Sequence, residues 1–207
     1  MAVEPTVGVH APTLILDYKL YFLRHGETDW NLAHRLQGET DIELNDTGRQ
    51  QARRHAGVMK ELDEDWASFT FWVSPMIRAR QTFEIVREVL EIDVEPRFDA
   101  RLREGSFGRW EGLTWQDVIE REPENHAIWI ADCWDRAPHG GDTYCDLAER
   151  LIDWAREVTG PGVVIAHGGI SRSLRTVYQG LERKNLASLK VTQRKFMRLE
   201  GGEVTFL

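Results

Sequence analysis

The residues with the most chemistry in them stand where apolar runs end. The run Lys19 to Leu23 stops at Arg24-His25-Gly26, Gly162 to Ala166 stops at His167-Gly168-Gly169, and Phe69 to Val73 stops at Ser74-Pro75, with Arg78 a turn beyond. Two histidines that each follow such a run and precede glycine, joined by two arginines, suit one task, which is holding a phosphoryl group. Guanidinium forks bind phosphate oxygens in pairs. Helix N-termini beginning near Ser74 and Gly168 would add N–H donors and a favourable dipole, and Gly26 and Gly168 would let the backbone approach closely. A neutral imidazole can attack phosphorus and divide one hard displacement into two easier ones. Neighbouring arginines favour that neutral form because they disfavour a second positive charge.

Positioning these side chains requires strands that deliver them to one edge. The three apolar runs read as buried strands. Between them, Thr47 to Leu62 carries Ala52, Ala56 and Met59 at helical spacing, with Gly57 as a local weak point. Ser74-Pro75 reads as an N-cap with proline in the first helical position, opening a helix to about Leu90. Gly105, Gly108 and Gly112 mark a loop, Thr114 to Glu120 a short capped helix, and Pro138 to Gly141 a turn. Leu147, Leu151, Ile152 and Trp154 form a further helix ended by Gly160-Pro161, and another covers about Ile170 to Tyr178, with Gly180 past its end. Phe196 to Leu199 and Val204 to Leu207 flank Gly201-Gly202 as a hairpin. Alternating strands and helices predict an α/β fold with a largely parallel sheet, whose ligands bind beyond the carboxyl ends of the strands.

At this level of detail the chain resembles the histidine phosphatase superfamily, which also contains the cofactor-dependent phosphoglycerate mutases. The resemblance covers about Tyr18 to Leu199. Its most specific part is Leu23-Arg24-His25-Gly26-Glu27-Thr28 with Asp29-Trp30-Asn31. Gln37-Gly38, Leu44 through Thr47-Gly48 with Gln51-Ala52, Ser74-Pro75 with Arg78-Ala79 and Gln81-Thr82, and Ala166-His167-Gly168-Gly169 follow in order. The resemblance implies a three-layer α/β/α sandwich of the phosphoglycerate mutase type. It also implies His25 as the phosphorylated nucleophile, Arg24, Arg78 and His167 as the rest of the phosphate pocket, Asn31 as a further phosphate contact, and Glu104 as proton donor to the leaving oxygen. A carboxyl beside an anionic phosphate is suited to that donation. Glu111 and Glu27 are the competing carboxylates. Transition-state charge would fall to the arginines and His167, with no metal and no cofactor.

The segment around the acid separates phosphatase from mutase. The mutase branch carries Glu-Arg-His-Tyr-Gly there, whereas Glu104 is followed by Gly105-Ser106-Phe107-Gly108, similar to the phosphatase branch. Arg121 and Arg136 are the only basic residues between Gly112 and Gly141 and are outnumbered by acidic ones, a poor clamp for a bisphosphorylated acid. Phosphatase is therefore the expectation and mutase the alternative. A catalytically silent binding protein of the same fold is a more distant rival, since His25, Arg24, Arg78, Glu104 and His167 are all present. A metal site on His25 and His167 fits badly, because the flanking arginines repel a cation. Gly140-Gly141-Asp142-Thr143 stands where the family usually has Gly-Gly-Glu-Ser, and it reads as helix capping.

With 207 residues, 42% hydrophobic and 29% charged, the chain is long enough for one domain with a sizeable core. Residues 17–207 are expected to form that domain and residues 1–16 a flexible arm. Acidic residues number 34 against 26 basic ones, for a net charge of −8, which disfavours nucleic acid and anionic membranes as partners. The expected partner is a small phosphorylated metabolite, and a homodimer follows only from the family. No apolar stretch is long enough to span a bilayer, no secretory leader is evident, and Cys133 and Cys145 match no redox or zinc spacing, so a cytoplasmic protein with free thiols is expected. Trp66, Trp72, Trp129, Trp134 and Trp154 are expected in the core or at its rim, and Trp110 and Trp115 near substrate. His34, His55, His126 and His139 match no catalytic position, and Glu61 to Asp65 reads as a solvated helix end.

Overall fold

Tyr21, Phe22 and Leu23, and Val163, Val164 and Ile165, are apolar on both sides of the pleat, which suits strands covered on both faces. In the computed structural model, which describes residues 10–207, they form the centre of a six-stranded sheet. In chain order the elements are β1 (Leu20–Arg24), α1 (Asp29–Leu32), α2 (Asp46–Lys60), β2 (Thr70–Val73), α3 (Ile77–Leu90) and β3 (Arg97–Phe98). They continue with α4 (Trp115–Arg121), α5 (Pro123–Ala131), α6 (Tyr144–Ala155), β4 (Gly162–Ala166), α7 (Gly168–Tyr178), β5 (Met197–Glu200) and β6 (Glu203–Phe206). The spatial order is β3-β2-β4-β1-β5-β6, parallel from β3 through β1 and antiparallel in the β5–β6 hairpin.

Strand residues alternate between two cores. Tyr21, Leu23, Phe71, Val73, Val163 and Ile165 pack with Ala56 and Met59 of α2 and Phe83 and Val86 of α3. Leu20, Phe22, Trp72, Val164 and Ala166 face Leu151 and Trp154 of α6 and Leu174 and Val177 of α7. The result is the expected α/β/α layering. Register then sets the site: Arg24 pairs with Ala166 and Val73 with Ile165, so β1, β4 and β2 end level. His25 N donates to Ala166 O at 2.9 Å and Ser74 N to Ile165 O at 3.0 Å, extending the ladder by one residue. His25, Ser74 and His167 thus leave the sheet side by side.

Several elements differ from the sequence expectation. Because Ser74 still belongs to that ladder, α3 begins only at Ile77, and Ser74 does not cap it; Asp41 Oδ1 accepts from Ile77 N at 2.8 Å. β3, α1 and α5 have no counterpart in the apolar pattern. Glu64 is not a solvated helix end, since it accepts from Tyr21 Oη at 2.7 Å and from Lys19 Nζ at 2.5 Å. Of the expected arm, residues 1–9 lie outside the described residues. Residues 10–16 are tied down: Ala11 and Leu14 are buried, and their N–H groups donate to Leu181 O and Val177 O beside α7. Trp66, Trp72, Trp129, Trp134 and Trp154 are buried, and Cys133 and Cys145 are unpaired. Among the described residues no helix is long and apolar enough to cross a membrane.

His55 on α2 is buried edge-on against Phe196, with ring centroids 5.6 Å apart, and neither ring nitrogen has a hydrogen-bond partner. Burial pushes its pKa down to about 4, outweighing the nearby backbone of Arg194 and Gln193, which favours the charged form. A depressed folded-state pKa means that the unfolded chain binds the proton more tightly. Stability from neutral His55 is therefore whole above about pH 6.5 and lost as pH falls toward 4, by roughly 3 kcal/mol. Thermal midpoints at pH 7 and pH 4.5 should differ less in His55→Leu than in the parent, and an equal acid loss in both would refute this assignment.

Candidate active site

A cavity of about 190 Å³ opens at the level where β1 and β4 end. Arg24, His25, Asn31, Arg78, Glu104 and Gly168, all singled out from the sequence, line it. His25 is buried, and its Nδ1 lies 2.7 Å from Gly26 O. A carbonyl only accepts, so Nδ1 carries the hydrogen and the Nε2 lone pair is free. Burial first, then the charges of Arg78 and Arg24, hold His25 well below the usual histidine pKa, so the ring is neutral. Gly26 earns its place by packing: a Cβ there would collide with the backbone of Gly48 at the start of α2.

The two arginines are held differently. Arg78 donates from Nη1 to Thr40 O and from Nη2 to Gly38 O, both at 2.8 Å, so the loop 38–41 fixes its plane. Arg24 has a buried Nε with no partner, and burial lowers its pKa to about 10 despite the opposing Glu104 carboxylate. It remains a cation at neutral pH with a donor to spare. Asn31 accepts at Oδ1 from Thr28 N at 3.3 Å and from Gln193 Nε2 at 3.1 Å, which leaves its amide NH2 for the cavity. Gln193 also donates to His25 O at 3.2 Å, tying the late loop to the first strand.

His167 stands immediately behind the cavity wall, not in it. Its ring is 5.1 Å from that of His25, and both nitrogens are engaged: Arg78 Nε lies 3.3 Å from Nδ1, and Ser74 Oγ lies 2.7 Å from Nε2. Burial and then Arg78 push its pKa well down. With Nδ1 accepting from Arg78, the ring hydrogen is on Nε2, which donates it to Ser74 Oγ. Ser74 is thus a hydrogen-bond partner of the second histidine, a role masked by its resemblance to a helix cap. Ser74→Ala should lower kcat about tenfold, with a stability loss of roughly 1–2 kcal/mol. A change below twofold in kcat would mean that the ring is held without it.

Glu104 lies across the cavity at the N-terminus of α7, where both carboxylate oxygens accept from Gly169 N at 3.0 Å. The close approach expected at Gly168 falls on Gly169: a Cβ on Gly169 would strike Glu104, while one on Gly168 would make ordinary contacts. The rival carboxylates are occupied elsewhere. Glu111 accepts from Glu39 N, Thr40 N, Thr40 Oγ1, Ser106 Oγ and Phe107 N, and Glu27 accepts from Asn45 Nδ2. Neither lines the cavity. Asp142 accepts from Ser106 N at 3.0 Å and so steadies the acid loop, while Thr143 caps α6. Trp110 is fully buried in the core and cannot touch substrate there, whereas Trp115 does line the cavity. Arg35, Arg172 and Tyr144 also line it and had no local signal. Four arginines against one carboxylate make the wall an anion site.

Comparison with known proteins agrees with this geometry. The sequence model of the histidine phosphatase superfamily (branch 1) matches residues 20–206. A glucosyl-3-phosphoglycerate phosphatase of Mycobacterium tuberculosis is 34% identical over 185 residues, covering 83% of this chain and 79% of the relative. A Bacillus subtilis protein, uncharacterized phosphatase PhoE, is 39% identical over 163 residues, covering 76% of each. The solved structure of a mycobacterial glucosyl-3-phosphoglycerate phosphatase in complex with VO3 superposes with a TM-score of 0.76 at 30% identity, covering 92% of this chain and 96% of that one. With the matched segment spanning every strand of the sheet and both histidine-bearing turns, this chain belongs to the histidine phosphatase superfamily, branch 1.

Proposed function

We propose that the protein is a metal-independent phosphomonoesterase that hydrolyses small phosphorylated metabolites through a phosphohistidine on His25. The observation that carries this reading is the Nδ1–Gly26 hydrogen bond, which leaves the Nε2 lone pair of a neutral ring free in a cavity lined by arginines. Arg24, Arg78, the Asn31 amide and the N–H groups at Gly168 would hold the phosphate oxygens. Nε2 attacks phosphorus, the bond from phosphorus to the ester oxygen breaks, and Glu104 gives that oxygen its proton. Water then attacks the phosphohistidine, Glu104 takes up the water proton, and the bond from nitrogen to phosphorus breaks to release phosphate. His167, with Nδ1 accepting from Arg78 Nε and Nε2 bonded to Ser74, keeps Arg78 oriented toward the phosphate from behind the wall. Charge stabilisation comes from the arginines. Among the described residues no cluster of three or more potential metal-ligating side chains is present.

Several relatives carry phosphatase in their names, including a metal-independent phosphoserine phosphatase of Arabidopsis thaliana, which supports hydrolysis over transfer to a second sugar acid. The test is phosphate release from p-nitrophenyl phosphate and 3-phosphoglycerate with a chelator present, with and without a bisphosphate primer. Release with chelator and without primer is expected. Isomerisation of 3-phosphoglycerate that depends on the primer would assign the mutase reaction instead, and loss of release on chelation would refute metal independence.

A further inference from the structure

A second chamber of about 290 Å³ adjoins the phosphate cavity. Phe107, Trp115, Tyr144 and Arg172 line both, so they form a shared wall, and Trp129 and Ile130 help to close the chamber beyond it. Trp115 organises the rings: it stacks on Trp129 at 5.0 Å and 27°, meets Phe107 edge-on at 6.0 Å, and meets His126 at 5.8 Å. These contacts fix the aromatic faces before any ligand arrives.

We propose that this chamber takes the leaving group of the phosphate ester, and that the preferred substrates are monoesters of flat aromatic alcohols. The proposal rests on the phosphomonoesterase reading of the His25 cavity. No carboxylate, carboxamide, serine or threonine side chain lines the chamber; its polar side-chain groups are the Tyr144 hydroxyl, the His126 ring, the Arg172 guanidinium and the indole N–H groups of Trp115 and Trp129. A polyhydroxylated sugar placed there would lose water from several hydroxyls and find few partners, a loss that accumulates with each unpaired group. An aryl group sacrifices no hydrogen bond, gains edge and face contacts with the rings, and meets a guanidinium able to lie over its face. The outer rim is apolar too: Ile130 of α5, which lines the chamber, is 51% exposed. Together the two cavities fall within the range of roughly 300–1,000 Å³ typical of small-molecule sites.

The experiment compares kcat/KM for naphthylethyl phosphate, ethyl phosphate and 3-phosphoglycerate, whose alkyl leaving groups differ little in intrinsic reactivity. The naphthylethyl ester should lead the other two by about tenfold or more. Two substitutions at the chamber, both at exposed positions, should then erode that ratio: Ala187→Trp, which fills the open side, and Ile130→Asn, which makes the rim polar. The ratio should fall to within about threefold in the first variant and by a smaller amount in the second. Hydrolysis of all three esters at similar kcat/KM, a lead by the sugar acid, or a ratio unmoved in both variants would overturn the chamber assignment while leaving the phosphatase reading intact. Hydrolysis of none would refute the phosphatase reading and this proposal with it.

Discussion

His25→Ala should lower kcat on the order of 10⁴-fold or more, because it removes the atom that carries the phosphoryl group and not merely a contact to it. Binding of inorganic phosphate should weaken far less, since Arg24, Arg78 and Asn31 remain around the cavity. The distinguishing observation is covalent: a rapid alkaline quench of the parent enzyme with labelled substrate should retain acid-labile label on the protein, and the variant should retain none. The pH profile tests the same residue independently. A depressed pKa keeps His25 neutral well below the usual value near 6.5, so the rate should show no loss governed by a histidine of ordinary pKa as pH falls from 7 to 5.5. A variant retaining more than about a tenth of the parent rate would remove His25 from the nucleophile's role.

The parts of this site that were legible in the sequence are those whose chemistry and position share a few adjacent residues. Arg24-His25-Gly26 and His167-Gly168-Gly169 each end a run of apolar residues, so one local pattern revealed both the strand and its cargo. Arg78 was legible for the same reason at one remove. Arg172, Arg35 and Tyr144 were not, because each reaches the cavity only through the packing of α7, α6 or a loop against distant chain, and Gln193 bears on it only through its bonds to Asn31 and His25. No periodicity records that kind of proximity. Trp110 shows the converse: neighbours in sequence to the acid loop suggested substrate contact, but the ring turns into the core.

Errors in the fold have equally local causes. β3 is two exposed residues that pair with β2 at the sheet edge and bury no apolar run, so hydrophobicity could not report it. The α3 boundary was displaced because serine followed by proline is a helix-start signal only when the serine backbone has left the sheet. Here Ser74 N stays in the ladder and its hydroxyl serves His167. Glu64 sits in an acidic run that composition assigns to solvent, yet it pairs with Tyr21 of β1 and Lys19 just before it. In each case a tertiary partner claimed a group that local rules had assigned elsewhere.

Glu104→Gln separates the chemical role of this side chain from its structural one. The amide oxygen of glutamine can still accept from Gly169 N, so the N-terminus of α7 and the acid loop keep their anchor. What disappears is the capacity to give and retrieve a proton. The loss should therefore depend on the leaving group: kcat for an alkyl phosphate should fall by about 10²–10³-fold, within the usual contribution of a general acid. For p-nitrophenyl phosphate, whose phenolate departs without help, the fall should be about tenfold or less. Glu111→Gln is the informative contrast, because Glu111 joins loop 39–40 to the acid loop through five hydrogen bonds without lining the cavity. Its loss should lower thermal stability and reduce both rates by a common factor. Equal losses on both substrates in Glu104→Gln would place Glu104 in that same structural class, as an anchor for α7, and return the question of the proton donor to another group.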